Sequence, residues 1–212
     1  MATHDAELRA FWQLGVSATT EPLERVLGRY RQAHRRYHTV AHLGWVLRHV
    51  EQLSEEVAVD DLGSVVAAAF FHDAVYDPTS TSNEDDSAAL AVRELVALGW
   101  EASRADTVAA MIRGTAAHRD PPDRDTAVLF DADLAVLGAD PAGYGDYVRG
   151  VRAGYGHVDD ARWRAGRAAV LRSFLDRPGI YATEPGRARW EPTARANITA
   201  ELAGLAPRRP AT

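Results

Sequence analysis

Apolar residues recur along the chain with a helical period and almost nowhere alternate as a half-buried strand would require. Val40, Leu43, Leu47, Val50 and Leu53 form one stripe, with Thr39 placed as its N-cap. Between Ser64 and Asp73 the pattern changes, because Val65, Val66, Ala67, Ala68, Ala69, Phe70 and Phe71 are apolar on every side. A helix of that kind belongs in the middle of a domain. A third helix is predicted over 85–98, closed by Gly99, and a fourth follows Ser103 as N-cap and carries Val108, Met111 and Ile112. The fifth starts near Asp125, carries Val128, Leu129, Leu134 and Leu137, and stops at Gly138. Asp140 and Pro141 then open a sixth as N-cap and N1. Two more helices carry Trp163, Val170, Leu171, Phe174 and Leu175, and Ala194, Ile198, Leu202 and Leu205.

Loops rich in Pro, Asp, Ser or Gly are predicted at 76–84, 119–124 and 177–192. The last is long enough for a lid or a surface wrap. The fold class expected is all-α, a single helical bundle over 1–206 with no internal repeat or linker, followed by a frayed tail at 207–212.

Composition narrows the chemistry. The 212 residues include no Cys, and all 24 basic residues are Arg, since the chain has no Lys. Disulfides, thiolate nucleophiles, thiolate zinc sites and iron-sulfur clusters are therefore excluded, and so are Schiff-base chemistry and the Lys-dependent P-loop. Any metal must be held by His, Asp and Glu. No basic start followed by a long apolar run opens the chain, and no stretch reaches the ~20 apolar residues of a membrane span, so a cytoplasmic protein with no membrane partner is expected. A net charge of −6 argues against nucleic acid as a partner, the nearest approach to a basic cluster being Arg35 and Arg36.

Three segments put ligand-type residues on or beside apolar helices: Tyr37-His38-Thr39-Val40-Ala41-His42, Phe71-His72-Asp73-Ala74-Val75-Tyr76-Asp77, and Phe130-Asp131-Ala132-Asp133-Leu134. His72 and Asp73 end the most hydrophobic helix. An ionised carboxylate there costs several kcal/mol unless paired or metal-bound, so a positive group must sit at that helix end. His38 and His42 share a face if the helix reaches back to His38. Asp133 lies on the apolar stripe and Asp131 points elsewhere. Taken singly, each has an ordinary alternative as a packing histidine or a capping aspartate; three helices offering such residues together do not.

His42, the pair His72-Asp73 and the distant Asp133 resemble the H…HD…D signature of the HD-domain metal-dependent phosphohydrolases. The segment from Tyr37 to His42 is similar to the YHNxxH motif of the related cyclic-nucleotide phosphodiesterases. HDxxYD, Asn83-Glu84 with Ser87-Ala88, and DADLxxLG look like a small bacterial group of predicted HD hydrolases, over a stretch from about residue 30 to the end that takes in Ala194-Arg195-Ala196-Asn197.

The resemblance implies a helical bundle in which His42, His72, Asp73 and Asp133 hold one divalent ion, of Mn, Fe, Co, Ni, Zn or Mg, for hydrolysis of a small phosphate ester such as a nucleotide. It gives His38 the protonation of the leaving oxygen. The HDxxED glutamate of guanosine-tetraphosphate hydrolases is replaced here by Tyr76, which leaves Asp77 or Glu84 to orient the attacking water. His118, the only His between the HD pair and Asp133, is expected as a substrate contact or a partner of a ligand rather than as part of a full second site. Arg113, Arg149 and Arg152 are the candidate phosphate cations, the last two in a run with Tyr144, Tyr147 and Tyr155. Two other readings stand beside the hydrolase: a di-iron oxygenase of HD type, and a non-catalytic metal-containing nucleotide-binding module. Neither the oligomeric state nor the substrate is set by the sequence.

Overall fold

In the computed structural model, residues 2–206 are described, with side chains from residue 5 onward, so the expected tail 207–212 and the side chain of His4 lie outside the described residues. Among the described residues ten α-helices run in the order α1 (Ala2–Gly15), α2 (Glu21–Tyr30), α3 (Val40–Ser54), α4 (Leu62–Phe71), α5 (Asn83–Ala97), α6 (Ala102–Gly114), α7 (Arg124–Leu134), α8 (Pro141–Gly154), α9 (Asp160–Leu175) and α10 (Glu184–Leu205). A 3₁₀ turn, Ala135–Gly138, extends α7. No strand occurs among the described residues, and the fold is all-α as the periodicity requires.

The helix that is apolar all round is the centre. Every residue from Ser64 to Phe71 of α4 is buried, and α1, α3, α5, α6 and α7 pack around it. Its start is fixed by Asp61, which accepts hydrogen bonds from the Ser64 amide (3.1 Å) and hydroxyl (2.6 Å) and is gripped by Arg104. Its end comes at Phe71, two residues short of the expected Asp73, so His72 and Asp73 sit in the turn that follows. The helix thus delivers both side chains into the interior from its C-terminal end.

Two helices precede the first one expected. In α2, Leu23, Val26, Leu27 and Tyr30 repeat at helical spacing and are buried; in α1, Leu8 and Trp12 are fully buried. At the other end, the predicted loop 177–192 is mostly helix. Thr183 caps α10 by accepting from the Gly186 amide at 3.0 Å, and the 22-residue helix carries Pro192 within it. The proline forfeits one backbone bond, and the buried Trp190, Ala194 and Ile198 hold the helix on the core. What remains between α9 and α10 is a short connection rather than a lid.

Candidate metal centre

Three helix ends converge on the site. His42 comes from the first turn of α3, His72 and Asp73 from the turn after α4, and Asp133 from the last turn of α7. His42 Nε2 and His72 Nε2 lie 3.1 Å apart. Asp73 Oδ2 stands 3.3 Å from the first and 3.2 Å from the second, and Asp133 Oδ1 stands 3.3 Å and 3.6 Å from them. His42, His72 and Asp133 form a buried group whose ligand atoms lie close enough to share one ion, and Asp73 borders it. Bonds of ~2.1 Å put adjacent ligand atoms about 3.4 Å apart around a tetrahedral ion and about 3.0 Å around an octahedral one. The observed separations match the edges of such a polyhedron.

The tautomers agree with this. His72 Nδ1 donates to the Ala69 carbonyl at 2.8 Å, so in the neutral ring Nε2 carries a lone pair directed at His42. Two imidazole lone pairs cannot face each other at 3.1 Å without a proton or a cation between them. Burial drives His42 and His72 toward neutrality, yet hydrogen bonds and charge from Asp73 and Asp133 outweigh it and raise both above the ordinary histidine value. Burial likewise opposes ionisation of Asp73 and Asp133, but the facing imidazoles hold both well below the usual carboxylate range. The cluster keeps its carboxylates charged and demands positive charge at its centre.

Around this core the remaining groups are held from outside. His38 precedes α3 instead of belonging to it; its Nε2 is 3.9 Å from Asp73 Oδ2, and its ring packs on Tyr76 and Tyr37 with centroids 4.5 and 5.0 Å away. Burial pulls its pKa down to about 4, with Asp73 opposing and His42 assisting, so His38 is neutral at pH 7. His118 Nε2 meets Asp133 Oδ2 at 2.8 Å, on the oxygen turned away from the two imidazoles. Its backbone is left-handed (φ 46°), and Arg177 pins that turn by donating to the carbonyls of Ala117 (2.9 Å) and His118 (2.6 Å).

Arg35 answers the need for a positive group at the end of α4. It is buried and donates to the carbonyls of His38 (3.0 Å), Asp73 (2.8 Å) and Ala74 (3.1 Å), stapling the segment before α3 to the turn after α4. In the sequence Arg35 stands out only as half of a basic pair with Arg36, and the unbalanced charge at Asp73 is the signal that points to it. Tyr37, also unassigned, lies against His38, His42 and Tyr147, and its buried hydroxyl is pushed to a pKa well above ten, so it stays a proton donor.

Most of the other candidates are occupied elsewhere. Asp77 is exposed, and its Oδ1 accepts from the Thr79 amide (2.8 Å) and hydroxyl (2.7 Å), closing the turn that leads to α5. Glu84 lies in the first turn of α5, and burial, assisted by the Glu84 charge, raises the Tyr155 phenol. Arg113 pairs with Asp85 at 3.0 Å, Arg149 with Asp146, and Arg152 with Asp160 at 2.7 Å while stacking on Trp163. No described contact joins these three arginines to the cluster. His34 stacks on Tyr76 and bonds its carbonyl, His49 packs at a tilt against Trp45, and His157 stacks on Tyr155. No helix among the described residues is long and apolar enough to cross a membrane. No family model, curated protein or solved structure matches the chain.

Proposed function

We propose that the chain is a metal-dependent phosphohydrolase of the HD type that cleaves a small phosphate ester, a nucleotide among the candidates. The observation that carries the reading is the 3.1 Å approach of two buried imidazole nitrogens, flanked by carboxylate oxygens at coordination spacing. His42, His72, Asp73 and Asp133 would hold one divalent ion, of Mn, Fe, Co, Ni, Zn or Mg. When bound, such an ion supplies Lewis-acid activation of water and of a phosphoryl oxygen.

The chain's own residues do the rest. His118 fixes Asp133 through its outer oxygen. His38 enters neutral, takes the proton released as water attacks phosphorus, and passes it to the ester oxygen as the P–O bond breaks. Tyr37 and Tyr76 hold the His38 ring in place. The test is elemental analysis of purified protein, followed by a phosphoester panel with Mn²⁺ or Co²⁺. One ion per chain and turnover that Asp73→Ala abolishes with its helical signal intact are expected. A fully active Asp73→Ala protein overturns the hydrolase reading. Two irons per chain with oxygen consumption favour the oxygenase, and tight nucleotide binding without hydrolysis favours the binding module.

A further inference from the structure

Asp133 offers the cluster one oxygen, Oδ1, while His118 meets the other, Oδ2, through Nε2 at 2.8 Å. A carboxylate only accepts, so the imidazole donates from Nε2. Held at its outer oxygen, Asp133 cannot turn its inner one away from His42 and His72, and outer partners of this kind govern how tightly a ligand set holds its ion. His118 reaches Asp133 from an uncommon backbone. His118 (φ 46°) and Asp120 (φ 44°) are the only non-glycine residues in the left-handed region among the described residues, and both lie in the turn that follows α6. A side chain stays in that region only where its surroundings hold it there.

The group that holds it comes from 59 residues further along the chain. Arg177 gives one nitrogen to each of two consecutive carbonyls, Nη1 to His118 (2.6 Å) and Nη2 to Ala117 (2.9 Å), and its guanidinium lies over the Phe174 ring, 4.4 Å from the centroid. Among the described residues no backbone amide donates to either carbonyl. A planar guanidinium can answer two neighbouring oxygens at once, which the single point charge of a lysine does not do. Arg177 is itself fixed from α10. Arg195 donates to the carbonyls of Leu175 (3.1 Å) and Arg177 (2.8 Å) and pairs with Glu191 at 2.6 Å, and Glu191 accepts from the Ile180 amide at 2.9 Å. The connection between α9 and α10 is thereby tied down on both sides of Arg177, so the guanidinium is aimed at the turn by a fixed backbone.

We propose that Arg177 is a positioning residue of the metal centre: its grip on the Ala117 and His118 carbonyls keeps the His118 ring on Asp133 Oδ2, which in turn keeps Oδ1 directed at the ion. Without the grip the turn relaxes, Nε2 swings off the carboxylate, and Asp133 is free to rotate. The effect on the ion rests on the metal reading above, whereas the hold of Arg177 on His118 does not.

The test is a cycle of Arg177→Met and His118→Ala, singly and together in the full chain, with zinc affinity read by equilibrium dialysis. His118→Ala is expected to weaken zinc binding roughly 10–100-fold and Arg177→Met roughly tenfold. Because Arg177 acts through His118, Arg177→Met should cost nothing further in a chain that already lacks the imidazole. An arginine that only supports the fold would weaken zinc by the same factor in both backgrounds, or in neither, and either result overturns the assignment. If Arg177→Met loses its helical signal, Arg177→Lys, which keeps the charge but not the two-nitrogen grip, takes its place in the cycle, with a loss of roughly threefold expected and the same results overturning it. Proton–nitrogen spectra of the imidazoles in chelator-stripped protein give a reading that needs no ion. The chain has 8 His, and the His118 signals are those lost in His118→Ala. The His118 Nε2–H is expected to leave its carboxylate-bonded position in Arg177→Met, and an unmoved signal overturns the hold. If the parent protein binds no zinc, the metal reading fails while this spectrum still decides whether Arg177 sets His118.

Discussion

His42 and His72 direct two nitrogens at one point inside the molecule, and the charge balance of that point is set by pH. In the ion-free protein the raised imidazoles contribute stability that is fully present below the unfolded histidine value and is lost as pH rises through their folded values. The depressed Asp73 and Asp133 contribute the same interaction from the acid side: it is present above the unfolded carboxylate value and lost as pH falls through the folded one. His38 works against folding as pH falls below its ordinary value, a cost that grows down to about 4 and is fully present below it, because the unfolded chain binds the proton more readily. Thermal melts of chelated protein are therefore expected to show falling stability on the alkaline side. Because an ion must displace protons from His42 and His72, its apparent affinity should rise with pH over the same range, as calorimetric titration can check. A flat affinity profile would contradict the assignment of both imidazoles as ligands. Removing one of them, in His72→Ala, should lower metal affinity by more than about 100-fold, read by equilibrium dialysis.

Among elements, carboxylates decide where helices begin. Asp61, Asp123, Asp140 and Asp159 each accept from an amide in the first turn of α4, α7, α8 and α9. Asp125 reaches back from α7 to the amides of Asp60 and Asp61, at 2.7 and 2.8 Å, and so positions the start of α4. Asp131 and Asp133 stand two apart on α7 and face opposite duties. Asp133 faces the cluster, whereas Asp131 accepts from the amides of Ala182 (2.7 Å) and Thr183 (2.8 Å) and from the Thr183 hydroxyl (2.6 Å). Gly186 is obligatory there, since a Cβ would lie 2.4 Å from Asp131 Oδ2. Asp131→Ala leaves two buried amides without an acceptor and should cost about 3 kcal/mol, a fall in Tm of roughly 6–12 °C. Metal content should survive the change, which separates this aspartate from its neighbour. The helix Asp131 anchors is the one whose first part reads as loop, because Pro185, Gly186 and Pro192 weaken the local signal and the docking partners are over 50 residues away in sequence.

At the scale of the molecule, α8, α9 and α10 meet in a buried polar network. Arg167 binds both oxygens of Glu201 at 2.8 and 3.0 Å and donates to the Tyr147 hydroxyl at 3.0 Å, while Tyr144 donates to Glu201 at 2.6 Å. Tyr147 in turn packs edge-on against Tyr37, 5.0 Å between centroids, which borders His38 and His42. The last three helices thus buttress the segment that carries two site histidines. Arg167→Met should cost about 3–5 kcal/mol, because Glu201 is left charged and buried, and the double change with Glu201→Leu should recover most of it in denaturant titrations. Full loss in the double variant would show that packing, rather than charge, holds these helices.

The sequence by itself determined that the chain is helical and which helix is central, since a period of apolar residues and an all-apolar segment are local facts of residue order. It also brought out the three segments that carry His42, His72, Asp73 and Asp133, whereas the choice of those four as ligands came from the resemblance those segments bear to a known family. Tertiary structure alone decided that Arg35 staples the two segments, that Asp131 anchors α10 and that Arg113, Arg149 and Arg152 are engaged by surface carboxylates. Each of these depends on which distant helix end a side chain meets, and the spacing of residues along one chain does not encode that meeting.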